Sequence, residues 1–286
     1  MLLIEEIPPI PENVRCKGCG GRNLVRFGKY KGTQKYRCKD CKTVFIGTEA
    51  PRGMRLPAQV IADGLSMFYE GLSLSAIRRQ LKQAYDIYPS DSSVYGWIVH
   101  YTRVAIQAGK DIQPKVGNRW SADEAVLKVG GTKLWFWDVL DYKTRYLLAS
   151  HLTVSRYTRD AQTVMQRARD RAGKSPRTII TDGLKAYIDG IERVFGADSK
   201  HLRGGIRLEV NNNMVERFHG TLRQREKVMR GLKSADSARL FLDGWLVYYN
   251  HFRPHESLGD MTPGEAAKAG FRFKNWAEVV RGEVGE

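Results

Sequence analysis

Apolar and polar positions change their rhythm along the chain, and each rhythm predicts a different kind of element. Between Leu24 and Cys38 the residues LVRFGKYKGTQKYRC alternate and turn as a short hairpin does. Beyond the stretch from Pro51 to Pro57, Val60, Ile61, Leu65 and Phe68 recur at three-to-four spacing and mark a helix. Gly71 and Ser73 interrupt it, and a second helix follows from Leu74 through Ile77 and Leu81. Pro89-Ser90-Asp91-Ser92 supplies capping residues for a third, which carries Val94, Trp97, Ile98 and Tyr101. From Gly117 the texture becomes that of strands: Ser121 to Val129, Leu134 to Leu140 and Arg145 to Leu152. Gly130-Gly131 and Asp141-Tyr142-Lys143 provide their turns. A helix is predicted from Thr158 to Arg171, then an apolar strand from Arg177 to Thr181 that ends on Asp182 and Gly183 as another helix begins.

Charge adds a partner to this outline. Lys and Arg total 47 against 31 acids in 286 residues, a net +16 with a pI near 9.7. So basic a chain fits a polyanion, and nucleic acid is the first candidate. The excess is concentrated: residues 14–55 carry 12 Lys/Arg and two acids, and residues 217–233 carry six Lys/Arg and one acid. With that charge, the three short helices read as a helix-turn-helix region, the third presenting Ser92, Ser93 and Tyr95 to a groove of double-stranded DNA. The first residues, MLLIEEIPPIPENV, carry glutamates and prolines rather than a basic leader, and no apolar run approaches the ~20 residues a membrane helix needs. The expectation is a cytoplasmic, nucleoid-associated protein.

The cysteines form one pattern. Cys16, Cys19, Cys38 and Cys41 are two C-x2-C pairs separated by 18 residues, the spacing of a zinc ribbon. Each short gap lets a turn aim two sulfurs at one metal, and two such turns complete a tetrahedral site. Four protein ligands leave no open position, so this Zn²⁺ is expected to be structural.

Three acids stand where a catalytic site could be assembled: Asp123 in the first strand, Asp182 at the end of the fourth, and Glu216 within Asn211-Asn-Asn-Met-Val-Glu-Arg-Phe-His-Gly220. Further on, Trp245-Leu-Val-Tyr-Tyr-Asn-His-Phe-Arg-Pro-His-Glu-Ser-Leu258 leads into Met261-Thr-Pro-Gly-Glu-Ala266. These segments, from about Trp120 to Ala267, resemble the DDE transposase and retroviral-integrase superfamily of prokaryotic insertion sequences. The order of three strands, helix, strand and helix is that of a ribonuclease-H-like α/β fold. The resemblance implies an integrase-type catalytic core that binds Mg²⁺ or Mn²⁺ through Asp123, Asp182 and Glu216. It also implies metal-dependent 3′-end cleavage and strand transfer, and a homodimer or larger assembly holding both transposon ends. The residue types suit that chemistry, since hard cations prefer carboxylate oxygens and two of them can flank a reacting phosphodiester.

The glutamate helix is amphipathic. Val215, Phe218, Leu222 and Met229 should pack on the sheet, while Glu216, Gly220, Arg223, Lys227 and Arg230 line the next face, where the cations could follow a DNA backbone. Of the other acids, Glu124 is expected on the opposite face from Asp123 by strand alternation, and Asp138 and Asp141 are expected in turn or surface roles. Asp160, Asp189 and Asp198 read as helix or loop acids. His219 divides between DNA contact and packing; His251, Arg253 and His255 read as ordering the last helix, and Trp135 to Trp137 as core or interface. The resulting division is a zinc ribbon over 1–50, a helical DNA-binding region over 51–112, the catalytic core over 113–235 and a helical region over 236–286. A domesticated derivative that binds DNA as a regulator, and a nuclease of the same fold that never joins strands, are the rival readings.

Overall fold

The computed structural model describes residues 9–282, apart from 13, 31, 49, 52, 204–212 and 229–231. Arg230, Met229 and the Asn211-Asn212 pair of the expected motif therefore lie outside the described residues. The chain divides into two compact units, 1–63 with 277–286 and 64–276.

In the first unit the alternating stretch forms the expected hairpin. β1 (Leu24–Tyr30) pairs antiparallel with β2 (Thr33–Cys38), and β2 with the short β3 (Val44–Ile46). The apolar cluster here is small: Leu24, Tyr36 and Phe45 close around Cys16 and Cys38, with Ile10 and Val14 against them. So few buried residues cannot hold a module of this size without a further cross-link.

Three helices follow where the periodicity places them: α1 (Ala58–Tyr69), α2 (Leu74–Tyr85) and α3 (Asp91–Ala108). Ser73 and Ser90 cap the second and third, their side chains accepting from Ala76 N and Ser93 N. Along α3, Val94, Trp97, Ile98, Tyr101 and Ala105 are buried, whereas Ser92, Ser93 and Tyr95 are exposed. Among the described residues no helix is long and apolar enough to cross a membrane.

The second unit is built on a mixed sheet. β4 (Arg119–Val129), β5 (Thr132–Asp141) and β6 (Leu147–Thr153) run antiparallel in sequence; α4 (Thr158–Ala172) leads to β7 (Thr178–Thr181), and α5 (Lys185–Phe195) to β8 (Lys200–Arg203). The strand order is β6-β5-β4-β7-β8, with β7 parallel to both β4 and β8. This mixed α/β arrangement is the ribonuclease-H-like one. α6 (Asn213–Val228) packs on β4 and β5, and α7 (Ala235–His251) on α3 and β6; α8 (Pro263–Ala266) and α9 (Trp276–Arg281) follow. The core between sheet and helices takes Trp120, Trp137, Val139, Val164, Met165, Ile179, Tyr187 and Ile191. Trp137 is fully buried, so the aromatic stretch is core, as expected.

Two details of α7 explain residues that pattern alone leaves unassigned. Fully buried Asn250 meets the edge strand β6: its Oδ1 accepts from Leu147 N at 2.9 Å and its Nδ2 donates to Leu147 O at 3.0 Å. Gly244 sits where a Cβ would fall 2.2 Å from Tyr69 Oη and 2.5 Å from Thr102 Cγ2, beside the 2.7 Å hydrogen bond joining those side chains. Gly244→Ala is therefore expected to cost about 1–3 kcal/mol through overpacking, outweighing the ~1 kcal/mol gained in helix propensity. Urea denaturation checks this: an unchanged or raised midpoint would contradict the close approach.

Candidate active site and metal centre

The four cysteines converge. All are free thiols, and one sulfur of each lies within 4.8 Å of the others. Cys16 Sγ is 3.3 Å from Cys41 Sγ, and Cys19 Sγ is 3.6 Å from Cys38 Sγ. A tetrahedral zinc with Zn–S bonds of about 2.3 Å separates its sulfurs by roughly 3.8 Å, so the donor set fits one such ion. The Thr43 side chain and amide bring the Cys41 thiol down to about 6. The Gly21 amide likewise pulls the Cys19 thiol down, but the crowding sulfurs of Cys41 and Cys38 outweigh it and push it up to about 12. Sulfurs that oppose one another's ionisation are what a divalent cation relieves.

The second cluster is carboxylate. β4 and β7 pair in parallel with Ser121 opposite Ile180, and two residues further along each path stand Asp123 and Asp182. Asp182 follows the last residue of β7, with Gly183 at φ +90° and Leu184 N donating to Asp182 Oδ1 at 3.0 Å. Asp123, Glu124 and Asp182 each offer an oxygen, all within 4.8 Å of one another. Oxygen donors of this kind suit a hard divalent cation.

Glu124 is the member that strand alternation set aside. Its partners differ from those of Asp123: it is ion-paired with Arg156, and its Oε2 is buried without a hydrogen-bond partner. Burial raises its carboxyl above the usual range, Arg156 opposes this, and Asp182 and Asp123 add to it. Glu216 stands outside the group. It is exposed in the first turn of α6, while Val215, Phe218 and Leu222 are buried as expected.

His219, one turn after Glu216, ties that helix to the acids. It is 3% exposed, Nε2 donates to Asp138 Oδ2 at 3.0 Å, and Nδ1 lies 3.6 Å from Asp123 Oδ2. Burial alone would lower its pKa, but bonds to Asp123 and Asp138 outweigh it and raise the ring to about 9. Asp138, pushed up to about 6 by burial against the pull of His219, is fully buried and not at the surface. Asp141 is also fully buried: it holds its turn from inside, Oδ2 accepting from Thr144 N and Oγ1. Asp138 corrects the expected turn or surface role, because β5 is covered on both faces and alternation gives no exposed side, whereas Asp141 has the expected turn role from a buried position. Asp160 and Asp189 lie in helices and Asp198 in a short 3-10 turn, as read from sequence.

Residues 117–255 match the family model described as a DDE domain. Over that stretch, just under half of its length, the chain is similar to the DDE transposase and integrase superfamily. It is 24% identical over 188 residues to an uncharacterized protein of Methanocaldococcus jannaschii, covering 64% of this chain and 82% of that one. Among solved structures, the HTLV-2 integrase catalytic core domain in complex with magnesium is similar at 15% identity and a TM-score of 0.42, covering 54% of this chain and 99% of that one. The BIV integrase catalytic core domain is similar at 16% identity and a TM-score of 0.40, covering 53% and 94%.

In the DDE domain the exposed side of α6 carries Arg223 and Lys227, which line a shallow groove with Lys128, Gly130, Gly131 and Lys233. The third cation expected on that face, Arg230, falls outside the described residues. Sequence reasoning missed the Asp138–His219 pair of this DDE domain. His219→Ala would leave Asp138 buried without its partner, an expected cost of about 3–5 kcal/mol. Adding Asp138→Asn should recover much of that loss in urea denaturation, and strictly additive losses would contradict the coupling.

Proposed function

We propose that this chain is a transposase that cleaves a phosphodiester at each end of an insertion sequence and joins the freed 3′ ends to target DNA. The observation that carries the reading is the meeting of Asp123 and Asp182 at one end of the parallel β4–β7 pair of a DDE domain. Asp123 and Asp182 would hold Mg²⁺ or Mn²⁺, and Glu216, on the helix anchored to Asp123 through His219, would complete the set. Two such ions supply activation of the attacking oxygen and charge neutralisation at the leaving one. In the first step a water oxygen forms a bond to phosphorus while the bond to the 3′ oxygen breaks, leaving a free 3′-OH. In the second, that 3′ oxygen bonds to a target phosphorus and the target's own 3′ oxygen leaves, with no covalent enzyme intermediate.

The remaining parts serve DNA recognition. Arg223, Lys227 and Arg230 would follow the phosphate backbone, and Ser92, Ser93 and Tyr95 would face a groove from α3 in a helix-turn-helix reading of α1–α3. Cys16, Cys19, Cys38 and Cys41 would bind one structural Zn²⁺. We place the protein in the cytoplasm on the nucleoid, as a homodimer or larger assembly. Its modules would be 1–50, 51–112, 113–235 and 236–286.

The test uses the purified full chain, Mg²⁺ or Mn²⁺, and duplexes carrying the DNA that flanks its reading frame. Nicking at the 3′ end and joining to a plasmid target are expected, with a log–log salt slope of binding of about −0.9 per phosphate neutralised. The position of Glu216 outside the acidic group favours one second reading, a transposase-derived DNA-binding regulator. Binding without nicking would establish that reading against ours, and nicking without joining would leave a nuclease.

A further inference from the structure

Asp182 owes its place to more than the end of β7. Thr181, the last residue of that strand, is fully buried, and its Oγ1 accepts from Gly183 N at 3.2 Å. Asp182 repeats the pattern one residue later, its Oδ1 accepting from Leu184 N at 3.0 Å. Short polar side chains that accept an amide two residues ahead each close a small turn. Two such turns overlap here across Gly183, whose φ of +90° glycine adopts without a Cβ clash. The turn, as much as the strand, therefore sets where this carboxylate stands relative to Asp123 and Glu124.

The first of these turns has a support on the neighbouring strand. His201 of β8 is partly buried, and its Nε2 lies 2.8 Å from Thr181 Oγ1. The parallel register pairs Ile179 with His201 and Thr181 with Arg203. Alternation then puts the side chains of Thr181 and His201 on the same face of the sheet, and the ring reaches along it to the hydroxyl. Lys200-His201-Leu202-Arg203 supplies no carboxylate of its own. What β8 gives the acidic site is shape.

Counting protons fixes the direction of the Thr181–His201 bond. The Thr181 hydroxyl has one proton, and its oxygen already accepts from Gly183 N. Enclosed as it is, that proton needs an acceptor, and His201 Nε2 is the one in reach. Nε2 accepts only as the unprotonated nitrogen of a neutral ring. Burial and the Arg203 cation both lower His201 below the ordinary histidine range, which favours that form. A continuous relay thus runs from β8 through the hydroxyl to the amide that follows Asp182.

We infer that His201 is a positioning residue of the acidic site: through Thr181 it holds the Gly183 turn, and with it the Asp182 carboxylate, in the arrangement that meets Asp123. Without the ring nitrogen, the buried hydroxyl must rotate to find another acceptor, and Gly183 N then loses its partner. A carboxylate on a loosened turn spends less time beside its neighbours, so a cation that needs both is held less tightly. The consequence for metal rests on the transposase reading of Asp182. The relay itself rests on the hydrogen bonds.

Amide exchange and Mn²⁺ calorimetry on the full chain without DNA separate the two. His201→Phe keeps a ring and removes the acceptor, His201→Gln returns an acceptor oxygen, and Thr181→Val removes the hydroxyl while keeping its shape. His201→Phe and Thr181→Val should each speed exchange at the Gly183 amide at least tenfold and weaken Mn²⁺ binding at least fivefold. His201→Gln should stay within twofold of the wild type in both. Adding His201→Phe to Thr181→Val should change neither reading further, because the two act through one bond. Amides of β4 and β5 should exchange as in the wild type, which distinguishes lost placement from lost fold. His201→Leu repeats the test should the phenyl ring fit poorly. Wild-type exchange at Gly183 in His201→Phe, no rescue by His201→Gln, or additive losses in the double variant would overturn the inference. Absence of Mn²⁺ binding in the wild type, with the exchange pattern as expected, would count against the metal reading alone.

Discussion

Asp182→Asn should bind terminal DNA as the wild type does and lose Mg²⁺-dependent nicking by at least about a hundredfold. The loss follows from removing a negative oxygen aimed at the metals, a term comparable with deleting one preorganised electrostatic contact elsewhere, about 10²–10³ in rate. The amide can still accept from Leu184 N, so the turn after β7 should keep its shape. Asp182 is exposed, which keeps the expected stability change within about 0.5 kcal/mol. Glu216→Gln should behave alike, since that side chain is also exposed and has no structural burden. Glu124→Gln is the informative contrast: its partner is Arg156, so its effect should fall on stability first. Gel shift, nicking rate and melting temperature for the three variants check the assignment. Near-wild-type nicking by Asp182→Asn would remove the basis of the enzyme reading.

The second large effect concerns the cysteines. Cys38→Ser should yield a chain without bound zinc and without a folded ribbon, because Cys38 has no exposed surface and belongs to a core of only a few side chains. Structural zinc contributes on the order of 10–16 kcal/mol to modules of this kind, more than such a core can replace. Hydrogen exchange should show protection lost from β1 to β3 and kept in β4, β5 and β7. Metal analysis should fall from one zinc per chain to none. A zinc-free variant with its hairpin still protected would contradict the metal-dependent fold.

Much of this architecture was legible because its signals are local. The cysteine spacing, the three-to-four repeats of α1 to α3 and the Gly130-Gly131 turn each depend on a handful of neighbouring residues. β8 was not, since Lys200-His201-Leu202-Arg203 is a short, partly exposed edge strand without an apolar run. The acidic site was legible by halves. Asp123 and Asp182 come together because each ends up at one end of paired strands, and the order of elements predicts it. Asp138 could have been found as well: counting outward from Gly130-Gly131 puts it opposite Asp123, the register the strands adopt. What hid it was the two-sided burial of β5, which erases alternation as a guide. Glu124 was set aside by the same alternation, a rule about directions that says nothing of how far a long side chain reaches. Glu216 follows residues 204–212, which the structure does not describe.

Asn250 has an implication for how copies of this protein could join. At Leu147 an incoming β-segment would find its docking point taken, since a side-chain amide from the same molecule already imitates a neighbouring backbone there. Growth of the sheet by lateral addition at that position is thereby blocked, and partners must attach elsewhere.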